Sequence, residues 1–303
     1  MVKLNWNAVV PWALAVSAFA STCDAQERRG SAGPLSVVVD SLVVGQGKAD
    51  LDGGGSFKAQ RAFLRAGALY RFGGGVSAGL FVSGGRLDYD FNTPSPVFED
   101  INDLSISVPI RFPAGENVSV FLAPSLRYDY ERGASRSEGQ TYGVFGGAAW
   151  KVSDSLTIGP ALGAFTQVED ESLRFFPALL VDWDISDKWN LSTGTGLGAT
   201  QGPGLTLSYA TSDKLKFGIS ARYENIRFRL NDQGPAPNGV GQDRSLPVVF
   251  SVDYEPFPRS SISAFVGAEF NGQLRLEDSQ GNRIETRDYD PAPLVGAAIR
   301  LAF

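Results

Sequence analysis

Histidine is missing from this chain altogether, and cysteine and methionine occur once each. The absence of imidazole excludes catalytic dyads built on a histidine base. One cysteine excludes a disulfide framework and a thiolate metal site. A basic balance is lacking too. Lysine and arginine total 27 against 33 aspartates and glutamates, a formal charge of −6, so a nucleic-acid partner is not expected. Beyond the N-terminus, no stretch is long and apolar enough for a transmembrane helix. Glycine (35 residues) and aromatics (11%) are plentiful instead, which suits a β-rich chain with many turns.

The N-terminus reads as an export signal. Lys3 supplies the positive start and Ala8 to Ala20 an apolar stretch interrupted by Pro11, too short to span a bilayer comfortably. Small residues favour cleavage after Ala25, with an earlier site after Ala20; Thr22 is a poor residue to precede a lipoprotein Cys23. The expected division is a signal peptide over 1–25, a short segment over 26–33 and one body over 34–303. An exported chain without a helical span is either soluble or enters a membrane as strands.

The pattern after residue 34 has a period of two. From Val118 to Tyr130, Val118, Val120, Leu122, Leu126, Tyr128 and Tyr130 oppose Ser119, Phe121, Ser125, Arg127 and Asp129. Leu173 to Ile185, Leu215 to Tyr223 and Ile262 to Leu276 repeat it, and the closing "PLVGAAIRLAF" sets Val295, Ala297, Ile299, Leu301 and Phe303 against Arg300 and small residues. Several runs reach ten residues or more, the length a tilted strand needs to cross a bilayer, about nine to eleven. The connections sort into short ones ("RFGGGV", "FPAGENV", "KVSDSL", "ISDKW") and longer polar ones ("NTPSPVFEDIN", "ERGASRSEGQ", "LNDQGPAPNGVGQD"), alternating along the chain. That is how periplasmic turns and extracellular loops alternate in a transmembrane barrel.

The expected fold is therefore all-β, an antiparallel up-and-down transmembrane barrel of about fourteen strands, with twelve the smaller even count. The strands begin with Leu35 to Val43 and end with Asp288 to Phe303. Five prolines inside them (Pro109, Pro124, Pro160, Pro177 and Pro247) require bulges or rim positions. An exported soluble β-sandwich is the competing fold.

The C-terminal alternation of Phe303, Leu301, Ile299 and Val295 resembles the signature of Gram-negative outer-membrane β-barrels, and the chain from Gln26 onward resembles an uncharacterised barrel family of that kind. The resemblance implies an outer-membrane location among lipid and lipopolysaccharide, and assembly by the barrel-assembly machinery through Phe303, Leu301 and Ile299. It implies no activity.

If the lipid face is apolar, strand charges point inward or lie beyond the membrane. Inward positions are then expected for Arg86, Asp88 and Asp90; for Arg127, Asp129 and Glu131; for Arg222, Glu224 and, after a phase slip near Asn225, Arg227; and for Arg65, Arg174, Asp182, Glu269 and Arg300. Leu87, Tyr89 and Phe91 are then expected outward. Phe63, Phe121, Phe145, Phe165, Phe176 and Phe265 share the inward face, beside inward glycines. The arginine–carboxylate rows read as a salt-bridged wall or as a charged constriction. The phenylalanines read as packing of a narrow interior or as the lining of a path for an apolar ligand. Paired aspartates such as Asp88/Asp90 and Asp182/Asp184 read as alternate positions on a wet wall. No catalytic residue, metal site or cofactor is expected. The function expected is a porin-like channel or binding barrel for a small-molecule solute. The alternative is a non-conducting structural barrel whose loop "LNDQGPAPNGVGQD" makes surface contacts.

Overall fold

The computed structural model describes residues 34–93, 97–194 and 204–303; the export signal expected over 1–25 lies outside the described residues. The strand segments, in chain order, are β1 (Leu35–Asp50), β2 (Ser56–Arg71), β3 (Ser77–Asn92), β4 (Ile101–Ser107), β5 (Ile110–Pro113), β6 (Val118–Glu131), β7 (Gln140–Lys151), β8 (Leu156–Phe165) and β9 (Arg174–Asp184). They continue with β10 (Trp189–Thr193), β11 (Gly204–Ser212), β12 (Leu215–Arg222), β13 (Glu224–Arg229), β14 (Val240–Phe257), β15 (Ser260–Glu277), β16 (Arg283–Tyr289) and β17 (Ala292–Ala302). The pairs β4/β5, β12/β13 and β16/β17 are single staves broken by a local irregularity, so the wall is a closed antiparallel barrel of fourteen strands. Closure is between β17 and β1, in register from Val38 opposite Ala302 to Gln46 opposite Leu294. Val37 and Phe303 add a reciprocal pair of backbone hydrogen bonds of 2.9 and 3.1 Å. Closure leaves the sheet no free edge among the described residues, the condition for placing strands in hydrocarbon. No sandwich is formed.

The outward face carries an apolar belt about nine residues tall. On β15 it runs Ile262, Val266, Phe270; on β14, Phe250 and Tyr254; on β2, Leu64 and Tyr70; on β17, Val295 to Phe303. Val266 and Val295 expose more than half their surface, which water would penalise and lipid does not. Trp150, Trp183 and Trp189 stand half-exposed beside the short turns, as interfacial aromatics do.

Several strands do not stop at the belt's upper edge. β1 continues to Asp50, β14 begins at Val240 rather than near Leu246, and the stave containing β17 begins at Arg283 rather than near Asp288. Above the belt, the outward residues turn polar: Lys58 and Gln60 on β2, Arg244 on β14, Gln273 on β15. The strands β7 to β12 end lower. There β6 leaves β7 and meets β13 in a parallel bridge, Tyr130 with Arg229, while Leu51 bridges Tyr289. The upper part of the wall, β1, β2, β3, β4, β6, β13, β14, β15 and β16, therefore closes on itself as a narrow neck above a wider barrel. A β-bulge at Asn271, whose φ is +52°, switches the inward positions of β15 from Phe265, Gly267 and Glu269 below to Gly272, Leu274 and Leu276 above.

Four of the five prolines fall where a ladder is interrupted, while Pro177 pairs with Leu162 inside the unbroken β8–β9 register. Pro109 sits in the break between β4 and β5, and Pro124 lies opposite that break on β6. Pro160 lies in the gap between the pairs Gly147–Ala161 and Trp150–Ile158. Pro247 pairs with Glu269 beside a register shift, opposite the break between β12 and β13. At such places the missing N–H costs no hydrogen bond.

The belt's upper edge is testable. Val266→Arg should lower folding stability in lipid vesicles by about 2–4 kcal/mol, the cost of a cation at hydrocarbon depth. Gln273→Arg, one outward position above the bulge, should change it by less than about 0.5 kcal/mol, as an ordinary surface change does. Urea titrations of refolding into vesicles measure both, and equal losses would place the edge elsewhere.

Candidate functional site in the barrel lumen

The lower lumen is a polar chamber. Asp40 on β1 pairs in register with Arg65 on β2 and with Arg300 on β17, so all three side chains point inward at the level of the outward Leu64 and Ile299. Arg65 donates from Nε to Asp40 Oδ2 at 2.9 Å, and a second, shorter bond from Nη2 closes the pair. Its guanidinium carbon lies 5.4 Å from the Phe81 ring centre. Arg300 approaches the same carboxylate only to 3.8 Å. The side chains of Asp40, Arg65 and Arg300 keep 21%, 15% and 30% of their surface accessible although hydrocarbon lies outside them, so the lumen is wet at this depth.

Inward aromatic rings do not plug this chamber. Phe176 lies flat over Gly163, its partner in register, and Phe63 over Gly85, Phe265 over Gly296, Phe165 over Gly143 and Phe81 over Gly67 in the same way. A Cβ at any of these glycines would collide with the ring. The rings therefore line the wall instead of crossing the bore. Phe121, Phe145, Phe165 and Phe176 form one cluster with centroids 5.5 to 5.8 Å apart. Phe265 forms another with Val44, Val249 and Leu294.

Above the chamber the neck is packed. Arg61 on β2 is 1% exposed and holds Glu269 in a close ion pair; its Nη2 donates to Gln46 at 3.0 Å and to Asp243 at 3.4 Å. Tyr89 donates to Asp243 Oδ2 at 2.8 Å, and the Tyr289 hydroxyl lies 3.1 Å from Asp243 Oδ1 and 3.4 Å from Glu269 Oε2. Over this layer sits a core of Phe57, Leu87, Phe98, Ile101, Ile226, Phe228, Leu274 and Leu276. A second buried charge layer stands where β6 meets β13. Arg127 pairs with Asp103 and, at 3.0 Å, with Asp129, and Glu224 lies within electrostatic reach of Arg127 and Arg222. Glu131, at the top of β6, accepts the backbone N–H of Glu99 at 2.9 Å and of Asn231 at 3.0 Å, tying two extracellular loops to the neck.

The sequence-expected residues distribute as follows. Arg65, Arg300, Phe63, Phe265 and Asp182 face the chamber, Asp182 accepting the Asn190 amide at 2.8 Å. Phe121, Phe145, Phe165 and Phe176 face it from the other wall. Arg127, Asp129, Glu131, Arg222 and Glu224 are buried at the junction of chamber and neck, and Glu269 lies in the neck's floor. Arg174 stands on the inward side of β9 but at the rim, half-exposed and 3.7 Å from Asp170. Ile299, Leu301 and Phe303 face outward beside the closing seam.

Two assignments are reversed. Leu87, Tyr89 and Phe91 pair in register with the inward Arg61, Ala59 and Phe57, so Arg86, Asp88 and Asp90 face outward. Arg86 instead pairs on the outer surface with Asp88 and Asp100. These positions lie above the belt, where water replaces lipid outside and the interior is a packed core, so polarity inverts. Arg227 occupies the face of β13 opposite Ile226 and Phe228, and pairs there with Glu277 at 2.6 Å and Glu169 at 2.8 Å. Sequence reasoning passed over Arg61, Asp243, Gln46, Asp103 and Asp40. The inward phase of β2, already fixed by Phe63 and Arg65, contained the signal for Arg61.

No family model matches the chain, and no curated protein matches it. Solved structures similar in fold are outer-membrane barrels. An outer-membrane channel from Pseudomonas putida F1 is 9% identical with a TM-score of 0.49, over 92% of this chain and 99% of that one. A FadL homologue from Pseudomonas aeruginosa is 13% identical with a TM-score of 0.42, over 88% of each. The KdgM porin is 11% identical with a TM-score of 0.35, over 88% of this chain and 99% of that one.

Two substitutions probe this interior. Arg61→Ala should cost about 3–5 kcal/mol, because it strands Glu269 and Asp243 as buried charges. Gly163→Ala, which pushes Phe176 off the wall, should cost about 1–3 kcal/mol. Gly84→Ala is the control: its Cβ would meet only Leu104 at 3.4 Å. Unfolding midpoints in detergent report all three, and a tolerated Arg61→Ala would contradict the packed neck.

Proposed function

We propose that this protein is an outer-membrane barrel that admits small solutes to a charge-lined, partly aromatic lumen, caught here with its outer neck closed. The observation that carries this reading is the wet tier of Asp40, Arg65 and Arg300 at hydrocarbon depth. A barrel serving only as a scaffold gains nothing from accessible arginines there, since a core of apolar side chains would be cheaper to fold around. The rings lying flat on glycine support the same reading, because they leave the bore clear. Passage would require the neck to open at the layer of Arg61, Asp243 and Glu269. In this reading Phe303, Leu301 and Ile299 serve assembly, and the belt contacts lipid and lipopolysaccharide.

The packed neck favours a second reading, a non-conducting barrel whose chamber only binds. Planar-bilayer recordings separate the two. The wild type should show rare openings, and Glu269→Gln, which loosens the pair with Arg61, should raise the open probability several-fold. Silence from both proteins, each verified as a folded barrel by heat-modifiable gel migration, would favour the non-conducting reading.

A further inference from the structure

Inward charge in the chamber is not evenly spread. On the wall formed by β17, β1, β2, β3 and β5, below the neck, the inward charges are Arg300, Arg65, Arg71 and Arg111 against Asp40 alone. Arg71 and Arg111 are both in register with Ser77, on either side of β3, at the periplasmic end. Among the described residues neither makes an ion pair; Arg111 donates to Ser119 Oγ at 3.0 Å. Arg65 saturates Asp40, which leaves Arg300 sharing a carboxylate already held by two hydrogen bonds. The carboxylates elsewhere in the chamber are engaged locally. Asp253 accepts the hydroxyls of Ser251 and Ser263, and Asp182 and Asp184 accept the Asn190 amide. Arg300 thus stands as a wet guanidinium with an excess of positive charge around it.

Immediately above it, on the same three strands, the wall changes character. Two residues on from Asp40 is Leu42, two from Arg65 is Phe63, and two from Arg300 is Ala298. Leu42 is partly buried against the next level, the cluster of Val44, Val249, Phe265 and Leu294. That cluster, and the neck floor of Arg61 and Glu269 beyond it, are packed. The distance from Asp40 to Val44 along β1 is about 13 Å. A cationic ledge therefore borders a half-buried apolar patch of Leu42, Phe63 and Ala298.

We infer that this ledge and patch form a binding site for an amphiphilic organic anion, a monocarboxylate with an aliphatic or aromatic body of a few carbons. Its carboxylate accepts from Arg300, with Arg65 adding charge, and its body lies against Leu42 and Phe63. Arg71 and Arg111 raise the local concentration of anions at the chamber's entrance. A cation of the same shape meets three more positive charges than negative ones on this wall. The inference rests on the reading of the lumen as a solute chamber, but not on conductance, since the patch lies below the neck and is reached from the chamber whether or not the neck opens.

The test is calorimetric titration of the full barrel in lipid nanodiscs with hexanoate, hexylammonium and 1-hexanol, each corrected for partition into empty nanodiscs. Hexanoate should bind saturably and at least tenfold more tightly than hexylammonium. Arg300→Gln should weaken hexanoate at least tenfold and leave 1-hexanol within about twofold; Arg300→Lys should retain most of the preference. Arg86→Gln, on the outer surface, should change nothing. No saturable hexanoate binding, equal affinity for the two ions, or full retention by Arg300→Gln would each overturn the site. Bilayer silence alongside normal hexanoate binding would sink the channel and leave the site standing.

Discussion

The requirement that no backbone amide face hydrocarbon unpaired governs this molecule. An antiparallel sheet meets it only by closing, and closure here is the seam of β1 with β17, sealed at its foot by Val37 and Phe303. Once the ring is shut, the pleat alone decides what each residue touches. Outward positions at mid-height meet lipid and become Val, Leu, Ile and Ala. Inward positions are freed from that demand. Charged side chains such as Arg65 and Arg300 become permissible at a depth where, on the other face, each would cost a few kcal/mol.

The same closure sets the shape above the membrane. Fourteen strands enclose a bore too wide for side chains to fill, and a barrel can stay that wide in lipid because its interior may be water. Beyond the belt the chain has another option. With β7 to β12 ended, the remaining strands close over fewer staves through the parallel bridge of β6 and β13, and the narrower tube can be packed. Fully buried Arg61, Glu269 and Asp243 are tolerable there because each finds several partners, including the hydroxyls of Tyr89 and Tyr289. A charged layer of this kind is a weak source of stability and a strong source of geometric definition, since a displaced stave leaves a buried charge bare.

This division explains what was legible in the sequence. The belt obeys one rule throughout, apolar outside, so β6, β9, β17 and the part of β15 before Asn271 could be phased from alternation alone, and the strand number followed from the sorted loops. The neck obeys the opposite rule. On β3 the apolar members of "RLDYDF" are the inward ones, and a reader carrying the membrane rule upward inverts the strand. On β15 the bulge at Asn271 changes the phase within one strand, and a smooth alternation cannot reveal it. Asp243 was invisible for another reason: it belongs to a layer assembled from strands far apart in sequence, β2, β14 and β15. Pairing across two hundred residues leaves no trace in local spacing.

Glycine connects these levels. In the chamber, each inward ring that lies on the wall does so because its register partner lacks a side chain, so the aromatic content and the glycine content are two views of one device. A ring over glycine adds apolar surface without narrowing the bore. It also shields the backbone hydrogen bonds of two strands that would otherwise face lumen water. The chamber can therefore present phenylalanine and arginine side by side, as at Phe81 and Arg65, while keeping an aqueous interior. That juxtaposition of flat apolar wall and accessible guanidinium is what distinguishes this lumen from a purely polar pore and from a packed core, and it exists only because the strands are held in the register that the seam imposes.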